Sequence, residues 1–205
     1  MVDKKSKRDL MLNEAFKLFL RHGYKNTKII DIAENAGIGK GTVYEYFPSK
    51  EFLFTQVFSD KILNEYKKIE ILITKCNSAE EKLIEFVKFE YSNSSQFGDS
   101  LQALPEMIMN TSALKSKELQ GVLSLLWEYR FNIMHSIIIE GIKSGEFSSL
   151  NSEMMAVSVL GSINFYILYE FDMMPKDWPR IVENKEWEFD DFMAIILRGI
   201  SKITT

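Results

Sequence analysis

The sequence predicts an all-α protein: a small N-terminal helix-turn-helix unit followed by a larger helical body. Three observations predict it. Apolar residues recur three and four apart through most of the chain, as in Leu12, Ala15, Phe16 and Phe19, which is the period of a half-buried helix. Turn formers are scarce, with 10 Gly and 4 Pro in 205 residues, and alternating β-branched runs are few, so strands are poorly served. The chain is 46% hydrophobic and 13% aromatic, enough to close a core and too much for a disordered chain.

The elements follow in order. Residues 8–21 read as a first helix, ended at His22-Gly23 because glycine readily takes the left-handed C-terminal position. Thr27 is placed to cap a second helix over 28–36, accepting from free backbone N–H groups, with Ile30 and Ala33, and Ile29 as a further candidate, facing inward. Gly37 stops that helix. Gly39-Lys40 opens a third, which ends near Phe47 because Pro48 disfavours helical geometry before it. Ser49 caps a fourth helix from Lys50, with Glu51 in its first turn where the helix dipole favours an acid. A helix over 79–93 and a shorter piece broken at Pro105 come next. Residues 116–144 carry two apolar faces, one through Tyr129, Ile133 and Ile137 and one through Trp127, Phe131, Met134 and Ile138, so this helix should be buried centrally. Gly145 ends it. Helices over 152–171 and 188–202 complete the chain, with 172–187, which holds two prolines, as a loop. The expected domains are residues 1–50 and 51–205.

Charge divides the chain in the same way. The first fifty residues hold ten bases and six acids, a net of +4, which leaves −8 for the rest of a chain of net charge −4. A basic head on an acidic body suits a head that meets a polyanion. A single cysteine, Cys76, excludes an internal disulfide and fits a reducing compartment. No signal segment is read at the start, and the apolar run 154–169 is too short and too interrupted to span a bilayer. A cytoplasmic protein is expected. His22, His135 and Cys76 do not make a metal site. No Ser/His/Asp, Cys/His or paired-carboxylate spacing stands out, so neither an enzyme nor a cofactor is expected.

The stretch "GIGKGTVYEYF", residues 37–47, carries the chemistry. A nucleotide-binding loop needs its lysine after the last glycine and a strand upstream. Here Lys40 precedes Gly41, and a helix lies upstream. The alternative is a helix-turn-helix, with small Ala33 where two helices approach and Val43 and Phe47 turned to the core. That leaves Lys40, Thr42, Tyr44, Glu45 and Tyr46 on the other side. Such a face suits a DNA groove, with Lys40, Thr42 and the phenols for phosphate and the helix start for base edges. An ordinary helical corner with surface tyrosines is the plainer alternative.

The run from Ala15 to Phe54 decides between them. It resembles the N-terminal DNA-binding domain of the TetR family in Gly23-Tyr24, Thr27, Ile32-Ala33, Ala36-Gly37, Lys40-Gly41-Thr42-Val43-Tyr44, Tyr46-Phe47, Ser49-Lys50-Glu51 and Leu53. "EGIKSGEF", residues 140–147, resembles the usual end of the family's long central helix. The resemblance implies an all-helical homodimer whose first three helices bind an operator and whose body binds a small molecule that releases DNA. It assigns Thr27 to a cap that donates to a phosphate, Lys40, Gly41, Thr42 and Tyr44 to the recognition helix, and Lys50 to a phosphate contact from the fourth helix. Lys28, Gly39, Glu45 and Tyr46 complete the expected DNA-binding set. Pro48 and Glu45 depart from the family pattern, and Glu45 bears on which operator is read.

In the body, aromatic and methionine side chains are the ligand candidates: Phe86, Phe89, Met107, Trp127, Phe131, Met134, Phe165, Tyr166 and Tyr169, with Glu90 and His135 as polar groups. For each alone, a place in the core is the plainer reading. As a set they suit a sizeable apolar molecule. Glu90, Glu106 and Glu128 on otherwise apolar helices add a lipophilic cation as a candidate, since a buried carboxylate needs a partner; for each of them a place on the solvated face is the plainer reading. The last two helices are the expected dimer interface, through Ser158, Gly161 and Ser162 on one and Phe189, Phe192, Met193, Ile196 and Ile200 on the other. A two-fold four-helix packing would cover them. The expected partners are therefore palindromic double-stranded DNA, a hydrophobic inducer and a second copy of the chain. The competing assignment is a helical small-molecule-binding or catalytic protein without an operator.

Overall fold

The computed structural model of the protein describes residues 4–101, 117–172 and 188–202. Eight helices lie among them: α1 Lys4–Asn26, α2 Ile29–Asn35, α3 Lys40–Tyr46, α4 Lys50–Ile73, α5 Ala79–Leu101, α6 Lys117–Ser144, α7 Ser152–Glu170 and α8 Phe189–Ile200. No strand lies among the described residues. The described helices begin within two residues of the expected starts, except α1, which starts four residues early. The ends differ more. Helical turns of α1 continue past a kink at Gly23 to Asn26, and α5 runs on past residue 93. The expected Pro105 piece and the 172–187 loop fall, except for Leu101 and Asp172, outside the described residues.

The chain divides into two compact units, Met1–Glu65 with Phe97–Leu126, and Tyr66–Gln96 with Trp127–Thr205. Residue 50, the expected boundary, is the first residue of α4. In the first unit, one cluster joins Met11, Ala15 and Phe19 of α1 to Ile32 and Ala33 of α2, Val43 of α3, Phe47, and Leu53 and Phe54 of α4; all are fully buried. Burying a side chain such as Phe47 contributes about 2–3 kcal/mol, so these short helices owe their stability to packing rather than to propensity. Of the three residues expected to face inward, Ile29 and Ala33 are in the core and Ile30 is 39% exposed. The α2–α3 turn needs a positive φ at Gly37, which is +64° and which glycine reaches without strain. The Gly37 and Ile38 amides donate to the Glu34 and Ala33 carbonyls. Ser49 caps α4, its hydroxyl accepting from the Phe52 amide at 3.0 Å.

In the second unit the segment 140–147 is the organiser. A Cβ on Gly141 would overlap the ring of Phe147, and that ring is 2% exposed. The Glu146 carboxylate accepts from the Ala79 and Glu80 amides, 3.2 and 3.0 Å away. It thereby caps α5 from a distant part of the chain, an acid where the helix dipole favours one. The Ser148 amide donates to Ile200 O at 2.8 Å, tying the end of α8 to the same segment. Gly141→Ala is expected to cost about 1–3 kcal/mol by overpacking, read as a lower Tm. Gly121→Ala on the same helix meets nothing within 4 Å and should not lower it.

Candidate nucleic-acid interface and ligand site

Seven residues of α3 present two unlike sides. Val43 and the following Phe47 are fully buried. Lys40, Gly41, Tyr44 and Glu45 are exposed, and Thr42 and Tyr46 are half-buried. The Lys40 ammonium lies 5.9 Å from the Tyr44 ring centroid, so cation and phenol occupy the same side one turn apart. Gly39 takes the N-cap position with extended backbone. A Cβ on Gly41 would meet nothing within 4 Å, so the glycine keeps the helix surface low where the exposed residues stand.

The turn between α1 and α2 corrects two sequence expectations. Thr27 is 1% exposed, and its one hydroxyl proton is shared between the carbonyls of Gly23 and Leu18, 2.8 and 3.1 Å from Oγ1. It neither caps α2 nor turns its hydroxyl outward toward a phosphate. Lys28 is the N-cap residue, and the Asp31 carboxylate accepts from its amide at 3.3 Å. Lys28 itself is exposed. The Lys50 ammonium is also turned inward, donating to the carbonyls of Tyr24 (2.9 Å), Thr27 (3.1 Å) and Lys25 (3.5 Å) and lying 4.3 Å from the Tyr24 ring. An ammonium has no more donors to give, so Lys50 holds the turn and leaves no N–H for phosphate. Burial lowers its pKa against the pull of Glu51. Tyr24 donates to Glu51 at 2.8 Å; burial, then this carboxylate, raises the phenol well above its ordinary value. Burial pushes Glu51 up, but its backbone N–H, Tyr24, Ser49 and Lys50 outweigh that and hold it low.

The described body candidates separate into four groups. Phe86 and Met134 are fully buried and belong to the core, and the half-buried Phe89 packs edge-on against Tyr66 at 5.1 Å. Tyr166 is 7% exposed and stacks on Phe192 at 4.2 Å, with Tyr91 and Phe189 beside it. Burial and then Glu170 push its pKa up to about 12. Phe131 stacks on His135, whose Nε2 lies 2.9 Å from Ser152 Oγ. Trp127 is 42% and Phe165 53% exposed, and Tyr169, 8% exposed, stacks on Phe165. Met107 and Glu106 lie outside the described residues.

Glu90 is buried, as a polar anchor should be, but its partner is internal. Arg130 of α6 donates to both its oxygens, at 3.2 and 2.7 Å, and Tyr66 donates at 2.5 Å. Glu128 is exposed. The carboxylate expected to attract a lipophilic cation is therefore already neutralised. Sequence reasoning missed Arg130, Tyr66 and Asn164. One signal was available: Arg130 is the only base between Lys117 and Lys143 on α6. An open groove of about 410 Å³ lies beside Ile73, Ile133 and Ile137, rimmed by Glu70, Lys82 and Glu140; none of the nominated ligand residues lines it.

The proposed dimer residues divide too. Ser158, Gly161 and Ser162 are exposed. Met193, Ile196 and Ile200 are 6–7% exposed and belong to the protomer's own core, while Phe189 and Phe192 join the aromatic group around Tyr166. The surface-facing apolar residues are instead Met154, Val157 and Phe165 on α7 and Ile195 on α8. A 3–4 spacing places Phe165, nominated for ligand, on the stripe of Ser158, Gly161 and Ser162. Among the described residues no cluster could hold a metal ion, and no helix is long and apolar enough to cross a membrane.

Comparison with known proteins matches both parts. Residues 11–57 match the model of bacterial regulatory proteins of the tetR family, and residues 59–202 match that of the QacR-like protein C-terminal region. The fatty acid metabolism regulator protein of Bacillus subtilis is 28% identical over 166 residues, 80% of this chain and 83% of that one. The regulator QacR of Staphylococcus aureus is 25% identical over 199 residues, 95% and 98% of the two chains. The crystal structure of FadR from Bacillus subtilis with stearoyl-CoA superposes with a TM-score of 0.61 at 21% identity, covering 93% of this chain and 95% of that one. Its fold is the one described above. A helix-turn-helix head and a QacR-like body in one chain place the protein in the TetR family, a ligand-responsive transcriptional regulator rather than an enzyme.

Proposed function

We propose that the protein is a repressor that binds a palindromic operator as a homodimer and leaves it when a small apolar molecule enters the body. The observation that carries this reading is the two-sided α3. Its inner side is locked by Val43 and Phe47, and its outer side offers Lys40, Thr42, Tyr44, Glu45 and Tyr46 to a groove. Lys40 and the phenols suit phosphate. Glu45, exposed among them, suits a cytosine amino group, because an acid repels phosphate but accepts from a base edge. A relative named for fatty acid metabolism supports an apolar effector.

The dimer half of the proposal rests on the α7 stripe. Met154, 70% exposed, begins a run through Val157, Ser158, Gly161, Ser162 and Phe165, and Ile195 of α8 is 70% exposed. An apolar stripe with small residues at its centre suits a second copy packed closely across a two-fold axis. Phe165→Glu is expected to give a monomer by light scattering and to weaken operator binding about a hundredfold, through loss of the second head. A variant that stays dimeric would place the interface elsewhere. The function itself is tested by selecting bound fragments from a random DNA pool. An inverted repeat is expected; no enriched sequence would favour a ligand-binding protein without an operator.

A further inference from the structure

The buried polar group of the second unit has more donors than it uses. Glu90 Oε1 accepts from Tyr66 and from Arg130 Nε, and Oε2 accepts from Arg130 Nη2. Nη2 also donates to Asn164 Oδ1 at 2.8 Å. Three of the carboxylate's four lone-pair sites are thus taken, and Nη2 is filled. Nη1 donates to none of the described residues. Among them no side-chain nitrogen or oxygen sealed from solvent lacks a partner, so the Nη1 edge borders accessible space. The Arg130 side chain is 14% exposed against 7% for Glu90. One turn back on α6 the half-exposed Trp127 ring lies 5.8 Å from the guanidinium carbon. What is on offer is an unfilled pair of charged N–H donors beside an apolar ring.

We propose that the Nη1 edge of Arg130 receives an oxyanion, a carboxylate or phosphate oxygen, at the head of an amphiphilic ligand, with Trp127 as the apolar surface beside it. The planar guanidinium can be forked by one acid on its Nε/Nη2 edge while a second approaches Nη1. A cation would meet the positive guanidinium first, and the charge of the neighbouring carboxylate is already balanced by Arg130. This assignment rests on the reading of the body as a ligand-binding unit.

The test uses the full-length protein and four probes of equal chain length, laurate, dodecyl phosphate, dodecyltrimethylammonium and dodecanol, with tryptophan fluorescence as the readout. At least one anion is expected to bind about tenfold or more tighter than the alcohol and the cation, the worth of a charged hydrogen bond; the tighter anion distinguishes carboxylate from phosphate. Glu90→Gln should tighten the anion further, since it removes the competing acid, whereas a merely structural pair would lose binding of every probe. Glu90→Met with Arg130→Met, checked for folding by circular dichroism, should reduce the anion to the level of dodecanol. Equal binding of the cation or the alcohol, no binding of either anion, or a preference that survives the double substitution would overturn the assignment. Release of a selected operator is followed in parallel by anisotropy. Anion preference without release would sink the effector mechanism and leave the site; release by all four probes alike would do the reverse.

Discussion

Lys40→Ala combined with Tyr44→Ala is expected to weaken operator binding by about 2–4 kcal/mol, roughly thirtyfold or more, and to reduce the salt slope by about one. The reason is geometric. Both side chains lie on the outer side of α3, and neither belongs to the cluster around Val43 and Phe47. Their removal takes a cation and a phenol from the groove and leaves the packing untouched, so thermal stability should change by less than about 0.5 kcal/mol. Lys50→Ala provides the contrast. Its ammonium holds three carbonyls of the α1–α2 turn, so its loss should lower stability together with affinity. Anisotropy titrations at several salt concentrations, paired with melting curves, separate the two. If the α3 double variant binds as tightly as the parent, the assigned face is wrong.

Arg130→Ala is expected to destabilise the protein by about 3–5 kcal/mol, because it leaves Glu90 charged, 6% exposed and without its main partner. That corresponds to a fall in Tm of roughly ten degrees for a chain of this size. Burial favours neutral arginine, yet the Glu90 carboxylate outweighs it and holds the guanidinium more firmly protonated than usual; burial, then Glu90, likewise raises the Tyr66 phenol. Replacing the pair together by Glu90→Met and Arg130→Met should cost far less than Arg130→Ala, since a buried ion pair adds little over well-packed apolar groups. A double variant as unstable as the single one would mean that the packing of the Arg130 stem, not its charge, is what matters.

How much of this was legible in the sequence follows from range. The helices were legible because their signals are local: the 3–4 apolar spacing, Gly37, Pro48, Ser49 and Gly145 each act within one turn. So was the exposed side of α3, which the burial of Val43 and Phe47 dictates. Thr27 and Lys50 were misplaced because their partners, Leu18 and Gly23 for one and Tyr24 and Thr27 for the other, depend on how α1, α2 and α4 meet. Spacing alone does not decide whether Glu90 sits on a solvated face or is buried; it is buried, and its partner is forty residues away, beyond any spacing rule. The dimer stripe was half legible. Helix α7 is apolar all round, and nothing in its period says which side the protomer keeps. Met193, Ile196 and Ile200 share a face by period, but only the packing against α7 shows that this face is internal.

The central claim is that the outer side of α3 enters DNA. It is tested most directly by attaching a DNA-cleaving copper–phenanthroline group to a single cysteine introduced as Glu45→Cys, with Cys76→Ser removing the native thiol. The account predicts two symmetric clusters of cuts within the selected operator, one in each half-site, centred about 34–36 Å apart or a multiple of that. Binding without cleavage from this position would contradict it.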